Sequence, residues 1–132
     1  MSGPIVYIDR SEVRPGKLDE LKRGIAELAE FVEAEEPELA SYLVYFTEGG
    51  TEMTVIHTHG DSATLEHHFR VAGPAFAGFA DLVRMRTIDV YGTPTSALLD
   101  DIRHKAVLLG SATVTVHEFH AGFTRRGDGV TG

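Results

Sequence analysis

The chain of 132 residues contains no cysteine, tryptophan, asparagine or glutamine. Without cysteine it can form no disulfide, and it has no thiolate for catalysis or metal binding. It also has no apolar run long enough to span a bilayer. Its first residues, MSGPIVYIDR, lack the basic and apolar segments of a signal peptide. We therefore expect a cytoplasmic protein that does not associate with membranes.

Basic residues are also scarce, since 12 Lys and Arg stand against 20 Asp and Glu, for a formal net charge of -8. This balance argues against nucleic acid as a partner, because phosphate binding needs a basic surface. Six glutamates lie between Glu27 and Glu38, and we interpret them as the solvated end of a helix. The length and the hydrophobic content of 42% predict one domain with a single core.

Hydrophobic periodicity predicts four strands and two helices in the ferredoxin-like, split βαβ order. All the helices would then cover one face of an antiparallel sheet, in an α+β fold. The other face is apolar as well, because neither alternating set in the second strand is clearly polar, so we expect a homodimer through the sheet face. The predicted elements are strand 4–12, helix 18–36, strand 39–47, strand 54–59, a helix that starts at Asp61 or Ser62, and strand 86–91.

The second helix carries an apolar stripe in steps of three and four residues. Gly73 and Pro74 fall within it and predict a kink or a break. The stripe comprises Leu65, Phe69, Ala72, Phe76, Phe79 and Val83.

We divide the chain into a ferredoxin-like core at residues 1–92, an extension of the same domain at 93–124, and a frayed tail at 125–132. The extension predicts a short helix over 95–105 and a fifth strand over 112–119. This strand could pair with an edge of its own sheet or with a partner chain.

The densest cluster of chemically active residues in the chain consists of histidines. His57 and His59 lie two residues apart on a strand and therefore point to the same face. His68 flanks the apolar stripe of the second helix, whereas His67 projects to the opposite side, towards solvent. If His59 and His68 line a pocket between sheet and helices, they can serve as a base and a hydrogen-bond donor, because histidine titrates near neutrality.

Other side chains are candidates for the same pocket. Asp9, on the first strand, could accept a substrate proton if apolar neighbours surround it. The candidate catalytic residues are therefore His59, His68 and Asp9. We expect a small hydrophobic ligand to contact Tyr7, His57, Tyr45, Phe69 and Phe76.

Two other kinds of site remain open. Histidines 57, 59 and 68 could offer three nitrogen ligands to a metal ion, although the HxH pattern is weak and no fourth ligand is evident. Alternatively, the histidines are structural and the domain is a non-enzymatic module for ligand binding or dimerisation, with a pocket sealed by Phe46, Phe69 and Phe76.

Three motifs resemble the antibiotic biosynthesis monooxygenase superfamily of small dimeric α+β barrels. They are the Arg14-Pro15-Gly16-Lys17 turn, the VIHTHGD strand and turn, and the helix series Leu65, His68, Pro74 and Phe76. The similarity covers roughly residues 4–92. Some members of that superfamily are cofactor-free oxygenases that oxidise anthrone-like or quinol polyketides. Others degrade haem with an asparagine, a tryptophan and a histidine.

The resemblance assigns positions as well as a fold. His68 matches the helix histidine of the family, while His57 and His59 stand where its strand often carries glutamate and tryptophan. The first strand offers Tyr7 and Asp9 rather than asparagine. Because the chain has no Asn or Trp, it cannot assemble the haem-degrading triad. The resemblance therefore implies a cofactor-independent monooxygenase-like enzyme that acts on a hydrophobic, aromatic substrate of polyketide or quinol type with O2.

Overall fold

A computed structural model describes residues 3–125, and the predicted tail beyond residue 125 lies outside that range. The order of the first six elements confirms the predicted ferredoxin-like arrangement, and the extension adds one helix and one strand. The elements are β1 (Ile5–Val13), α1 (Leu18–Glu35), β2 (Ser41–Phe46), β3 (Glu52–His59), α2 (Ser62–Phe76), β4 (Val83–Tyr91), α3 (Ser96–Leu109) and β5 (Thr113–His117).

These strands form one sheet in the order β2-β3-β1-β4-β5. The pairs among β1, β2, β3 and β4 are antiparallel. In contrast, β5 runs parallel to β4 at the edge of the sheet. The last strand therefore pairs with its own sheet, and α3 provides the crossover connection that a parallel pair needs.

Alternation along the strands separates two faces of the sheet. In β1 and β3 every second side chain is buried, and Tyr7 stands opposite His57 in the antiparallel register. The buried face packs against the apolar stripe of α1, which comprises Leu21, Ile25, Leu28 and Val32. We call the other side the open face, because its Leu43, Tyr45 and Tyr91 remain exposed.

Helix α2 begins where the sequence predicts. Asp61 caps it by accepting a hydrogen bond of 2.9 Å from the backbone N–H of Thr64. Pro74 lies inside the helix, which ends two residues later at Phe76 and is followed by a single 3-10 turn, Ala77–Phe79. The predicted stripe was therefore too long, because Val83 begins β4 instead of continuing the helix.

The extension completes the core. Helix α3 buries Leu98, Ile102, Ala106 and Leu109, together with Lys105. Gly110 ends the helix with a φ of 142°, and a Cβ at this position would lie 2.8 Å from the backbone nitrogen of Met85. Only glycine fits there without strain, because the left-handed backbone and the close approach both exclude a side chain. No helix within residues 3–125 is long and apolar enough to cross a membrane.

The close approach of Gly110 to the backbone of Met85 allows a test of how tightly the C-terminal extension packs against the core. We expect Gly110→Ala to lower the free energy of unfolding by about 1–3 kcal/mol, because alanine adds both backbone strain and a clash. Urea denaturation followed by circular dichroism measures this change. Gly78→Ala is the matched control, since a Cβ there meets nothing within 4 Å. Equal stability of the two variants would show that the turn into β5 is not held as described.

Candidate functional site

Three histidine rings meet in the core between the sheet and α2. His57 and His59 come from β3, where alternation turns both side chains inward, and His68 comes from the buried side of α2. The ring centroid of His57 lies 5.3 Å from that of His59 and 4.7 Å from that of His68. Nδ1 of His57 and Nε2 of His59 are 3.1 Å apart and share one hydrogen bond.

His68 is held by a carboxylate that comes from just beyond α1. Its Nδ1 lies 2.9 and 3.0 Å from the two carboxylate oxygens of Glu36. Glu36 is only 3% exposed, so the interpretation of all six glutamates as solvated was wrong for this one. Its backbone N–H donates to the carbonyl of Val32, which extends the last helical turn and directs the side chain inward.

A second polar cluster lies deeper in the core, and it joins the sheet to α3. The hydroxyl of Tyr7 donates to Oδ2 of Asp9 at 2.9 Å, and Nζ of Lys105 donates to the Tyr7 oxygen at 2.8 Å. Lys105 also forms an ion pair of 3.3 Å with Asp9. We call these three residues the Lys105 cluster.

Aromatic rings connect the two polar groups. The Tyr7 ring lies 4.3 Å from His57, and the Tyr42 ring lies 4.9 Å from it. Phe76 is shared, because its ring is 6.2 Å from the His68 ring and 4.3 Å from Nζ of Lys105. Phe69 also contacts both His68 and Lys105. The histidines and the Lys105 cluster therefore border one aromatic compartment.

Burial controls protonation in this compartment. Desolvation lowers the pKa of His57 well below its usual value, and the charges of His68, Lys105 and His59 lower it further. Desolvation also lowers the pKa of His59 to about 3, with His68 adding to the shift and Asp61 opposing it. Burial also lowers the pKa of His68, although the hydrogen bond to Glu36 opposes this change. All three imidazoles are consequently neutral at pH 7.

The phenols and the lysine respond to the same burial. Desolvation and the Asp9 charge raise the pKa of Tyr7, and desolvation raises the pKa of Tyr42. For Lys105, desolvation lowers the pKa while Asp9 opposes the shift. Both tyrosines therefore remain protonated hydrogen-bond donors at neutral pH.

Three spaces adjoin the compartment. A small pocket of about 30 Å³ is bordered by Asp9, Tyr42, Phe76 and Lys105 and has room for one or two waters. A cleft of about 470 Å³ reaches Glu36 and Tyr42 from the end of α1. A groove of about 230 Å³ between α2 and α3 reaches Phe69, Phe76 and Lys105. Larger openings therefore approach the compartment from two sides.

The structure brings together seven of the eight predicted site residues. His57, His59, His68, Asp9, Tyr7, Phe69 and Phe76 all border the compartment. Tyr45 does not, because it points to the open face opposite Thr54 and is 54% exposed. Strand alternation explains the difference, since residue 45 is odd-numbered in a strand whose even-numbered residues face the core.

Three residues of the compartment were absent from the predicted site. Tyr42 pairs with His57 across β2 and β3, and the alternation of β2 could have identified it. Lys105 lies three residues after Ile102 on the buried side of α3. In the sequence, however, a lysine at this position indicates that the apolar side of the helix has ended. Glu36 is one of six nearby acids, and nothing in the sequence distinguishes it from the others.

The geometry does not support the three-histidine metal hypothesis. The facing nitrogens of His57 and His59 are hydrogen-bonded to each other rather than directed at a common point. His68 turns its Nδ1 to Glu36. Within residues 3–125, no group of three or more His, Asp or Glu side chains is arranged to hold a metal ion.

Taken together, these features define a ferredoxin-like α+β domain with a buried cluster of titratable side chains between the sheet and its helices. The same fold occurs in structures of the antibiotic biosynthesis monooxygenase superfamily, which confirms the resemblance at the level of the fold. No protein-family model matches the sequence, and no curated protein matches it.

Several solved structures superpose on the chain. The crystal structure of MupZ from Pseudomonas fluorescens has a TM-score of 0.73 at 19% identity and covers 95% of this chain and 91% of its own. A candidate antibiotic biosynthesis monooxygenase from Caulobacter crescentus has a TM-score of 0.59 at 20% identity, with 71% and 91% covered. SnoaB, a cofactor-independent oxygenase from Streptomyces nogalater, has a TM-score of 0.58 at 14% identity, with 70% and 95% covered.

These structures differ in how much of the chain they superpose on. The superposition with MupZ spans so much of the chain that it includes most of the C-terminal extension. The superpositions with the other two span about as many residues as the ferredoxin-like core contains.

The lowered histidine pKa values predict a pH-dependent stability. Below its usual pKa of about 6.5 each histidine binds a proton in the unfolded chain, whereas buried His57 and His59 stay neutral. The folded state therefore loses stability as the pH falls, by about 1–2 kcal/mol for each of these histidines between pH 7 and pH 5. Urea unfolding at pH 7, 6 and 5 measures the slope.

Variants that each lack one histidine show how much His59 contributes to this pH dependence. We expect His59→Gln to be less stable than the native chain at pH 7 but to have a shallower pH slope. His104→Gln, on the exposed side of α3, should keep the native slope. A native slope in His59→Gln would mean that His59 is protonated in the folded protein.

Proposed function

We propose that the protein is a cofactor-independent monooxygenase-like enzyme in which His68 is the general base. Its substrate is a small hydrophobic, aromatic molecule of polyketide or quinol type. One observation carries this proposal, namely the hydrogen bond between His68 and a fully buried Glu36 inside an aromatic compartment.

The orientation of His68 makes it the best-placed base. A carboxylate can only accept a hydrogen bond, so the proton of the neutral imidazole resides on Nδ1 and the lone pair on Nε2. The ring is therefore held in one tautomer with its basic nitrogen directed away from Glu36. This is the arrangement in which a carboxylate orients a histidine for proton abstraction.

The aromatic walls determine which substrates suit the base. Phe69, Phe76 and Tyr42 offer flat apolar surfaces, which favour an aromatic carbon acid or phenol over a charged metabolite. His68 would remove a proton from the activated carbon, and the carbanion would pass an electron to O2. Recombination gives a hydroperoxide, and loss of water leaves a new carbonyl group. The substrate itself is the reductant in this scheme.

The remaining predicted catalytic residues have supporting roles. His59 hydrogen-bonds to His57, whose ring contacts His68, so the pair positions the base from the sheet side. Asp9 lies in the Lys105 cluster and holds Tyr7 and Lys105 in place. Both residues act through others and not on the substrate directly.

The small volume of the pocket beside Lys105 favours a second candidate, a non-enzymatic module that binds a ligand in the cleft at the end of α1. About 30 Å³ cannot hold an aromatic molecule, so a substrate must enter by displacing side chains at the cleft or the groove. In a binding module the ligand would stay in the cleft and would never reach His68.

Oxygen uptake with anthrone distinguishes the two candidates. We expect His68→Ala to reduce kcat/KM by about 100-fold or more, because general-base catalysis typically contributes 10²–10⁴-fold. His59→Ala and Glu36→Gln should reduce it by about 10-fold, since each loosens the base. The measurement is oxygen consumption by electrode together with absorbance of the quinone product.

His67→Ala is the matched control, because His67 lies next to His68 on the same helix but projects away from the compartment. It should retain activity within about twofold of the native protein. Anthrone binding without oxygen uptake would support the binding module. Uptake that is unaffected by His68→Ala and His59→Ala would contradict the proposed mechanism.

We also propose that the protein is a homodimer through the open face of the sheet. Leu43 and Tyr45 of β2 and Tyr91 of β4 expose apolar surface on that side, while Arg10, Asp89 and His117 form a polar network across β1, β4 and β5. Exposed apolar side chains beside paired polar groups are typical of a protein interface. Tyr45 would then pack in the dimer interface and not in the pocket.

Sedimentation velocity tests this assembly. We expect the native chain to sediment as a dimer and Tyr45→Glu to shift it towards monomer, because each protomer would have to bury an unpaired carboxylate in the interface. Val107→Glu is the control, since Val107 is 73% exposed on α3, on the helical side. A native monomer, or a dimer that tolerates Tyr45→Glu, would contradict this interface.

A further inference from the structure

Lys105 is the one buried cation of the compartment among the residues that the structure describes. It is 7% exposed and belongs to α3, outside the ferredoxin-like core. Burying an ammonium group costs free energy even when it is paired, and an apolar residue would pack α3 against the sheet at least as well. A lysine in this position therefore suggests a chemical role.

Its hydrogen bonds leave one donor available. An ammonium group has three N–H donors. Two of them go to Tyr7 and Asp9. Three aromatic rings also lie near Nζ, at 4.3 Å from the Phe76 centroid, 4.8 Å from Tyr7 and 5.6 Å from Phe69. Such rings stabilise a cation without forming fixed hydrogen bonds.

The position of Lys105 relates it to both the base and the solvent. Phe76 contacts His68 on one side and Lys105 on the other. Lys105 borders the small pocket and also the groove between α2 and α3. A planar molecule that displaced the Phe76 ring would therefore lie between the base and the ammonium group.

We infer that Lys105 binds the oxygen of the substrate and stabilises the negative charge that develops there when His68 removes a proton. This inference rests on the proposed function and narrows the substrate class to carbon acids conjugated to a carbonyl or phenol oxygen. The C–H proton goes to Nε2 of His68, and the electron pair moves onto the oxygen to form an enolate. That oxygen accepts a hydrogen bond from Nζ of Lys105.

The other two members of the Lys105 cluster hold the lysine in position for this role. Tyr7 and Asp9 fix the position of Nζ, so little reorganisation is needed as the charge develops. Asp9 also favours the charged form of Lys105 and so opposes the desolvation that lowers its pKa. In this account Lys105 is a catalytic residue, whereas Tyr7 and Asp9 are positioning residues.

Proton exchange without oxygen isolates the step. Anthrone in D2O exchanges its methylene protons through the enolate, and mass spectrometry measures the rate under anaerobic conditions. We expect Lys105→Met to reduce enzyme-dependent exchange by about 100- to 1000-fold, as loss of an oxyanion donor does, and Lys105→Arg to recover part of it. Arg103→Met is the matched control, because it removes the same charge from the exposed side of α3.

A binding measurement keeps the inference separate from the proposed oxidation. 4-Nitrophenol reports its ionisation by absorbance, and Lys105 should lower the pKa of the bound phenol in the native protein and in Arg103→Met. Lys105→Met should lose this shift while it keeps the native circular dichroism spectrum. If the native protein neither oxidises nor exchanges anthrone but shows the shift, the proposed function fails and the anion site stands.

Two outcomes would overturn the inference. One is oxidation and exchange in Lys105→Met at native rates, which would leave the proposed function intact and make Lys105 structural. The other is absence of 4-nitrophenol binding, or binding with an unshifted pKa, in the native protein.

Discussion

The hydrogen bond between Glu36 and His68 joins the end of α1 to α2 through two buried side chains. Glu36 follows the end of α1, His68 belongs to α2, and their partners in the compartment come from β2 and β3. Both side chains are withdrawn from water, so removing either leaves the other without its polar partner, at a cost of several kcal/mol. The orientation of His68, the closure of the compartment and the direction of the chain into Pro37 all depend on this contact.

The buried polar side chains of the core form hydrogen bonds within two separate sets. The histidines and Glu36 form one set, and Lys105, Tyr7 and Asp9 form the other. Within the described residues, Nε2 of His57, Nδ1 of His59 and Oδ1 of Asp9 are buried without a hydrogen-bond partner. Buried polar atoms usually have partners, so each of these three needs an explanation, and a role in binding or catalysis is one. The compartment thus combines rigidity with unused hydrogen-bonding capacity.

The sequence predicts those parts of this arrangement that depend on local hydrophobic patterns, and not those that depend on contacts between distant segments. The ferredoxin-like order follows from strand alternation and helix periodicity, and the same alternation places His57 and His59 together on the inner face. The pairing of β5 with β4 could not be predicted, because an edge strand has no pattern that specifies its neighbour. Lys105 and Glu36 are distant in sequence from the histidines, and only the packing of α1 and α3 brings them to the site. Tyr45 was misplaced because its strand is apolar on both faces.

The protonation pattern of His68 tests the account most directly. Nitrogen-15 NMR of histidine-labelled protein reports which ring nitrogen carries the proton. The account predicts a neutral ring at pH 7, with the proton on Nδ1 and an unprotonated Nε2, and a loss of this preference in Glu36→Gln. A protonated imidazolium, or a proton on Nε2, would contradict the role of His68 as a base held by Glu36.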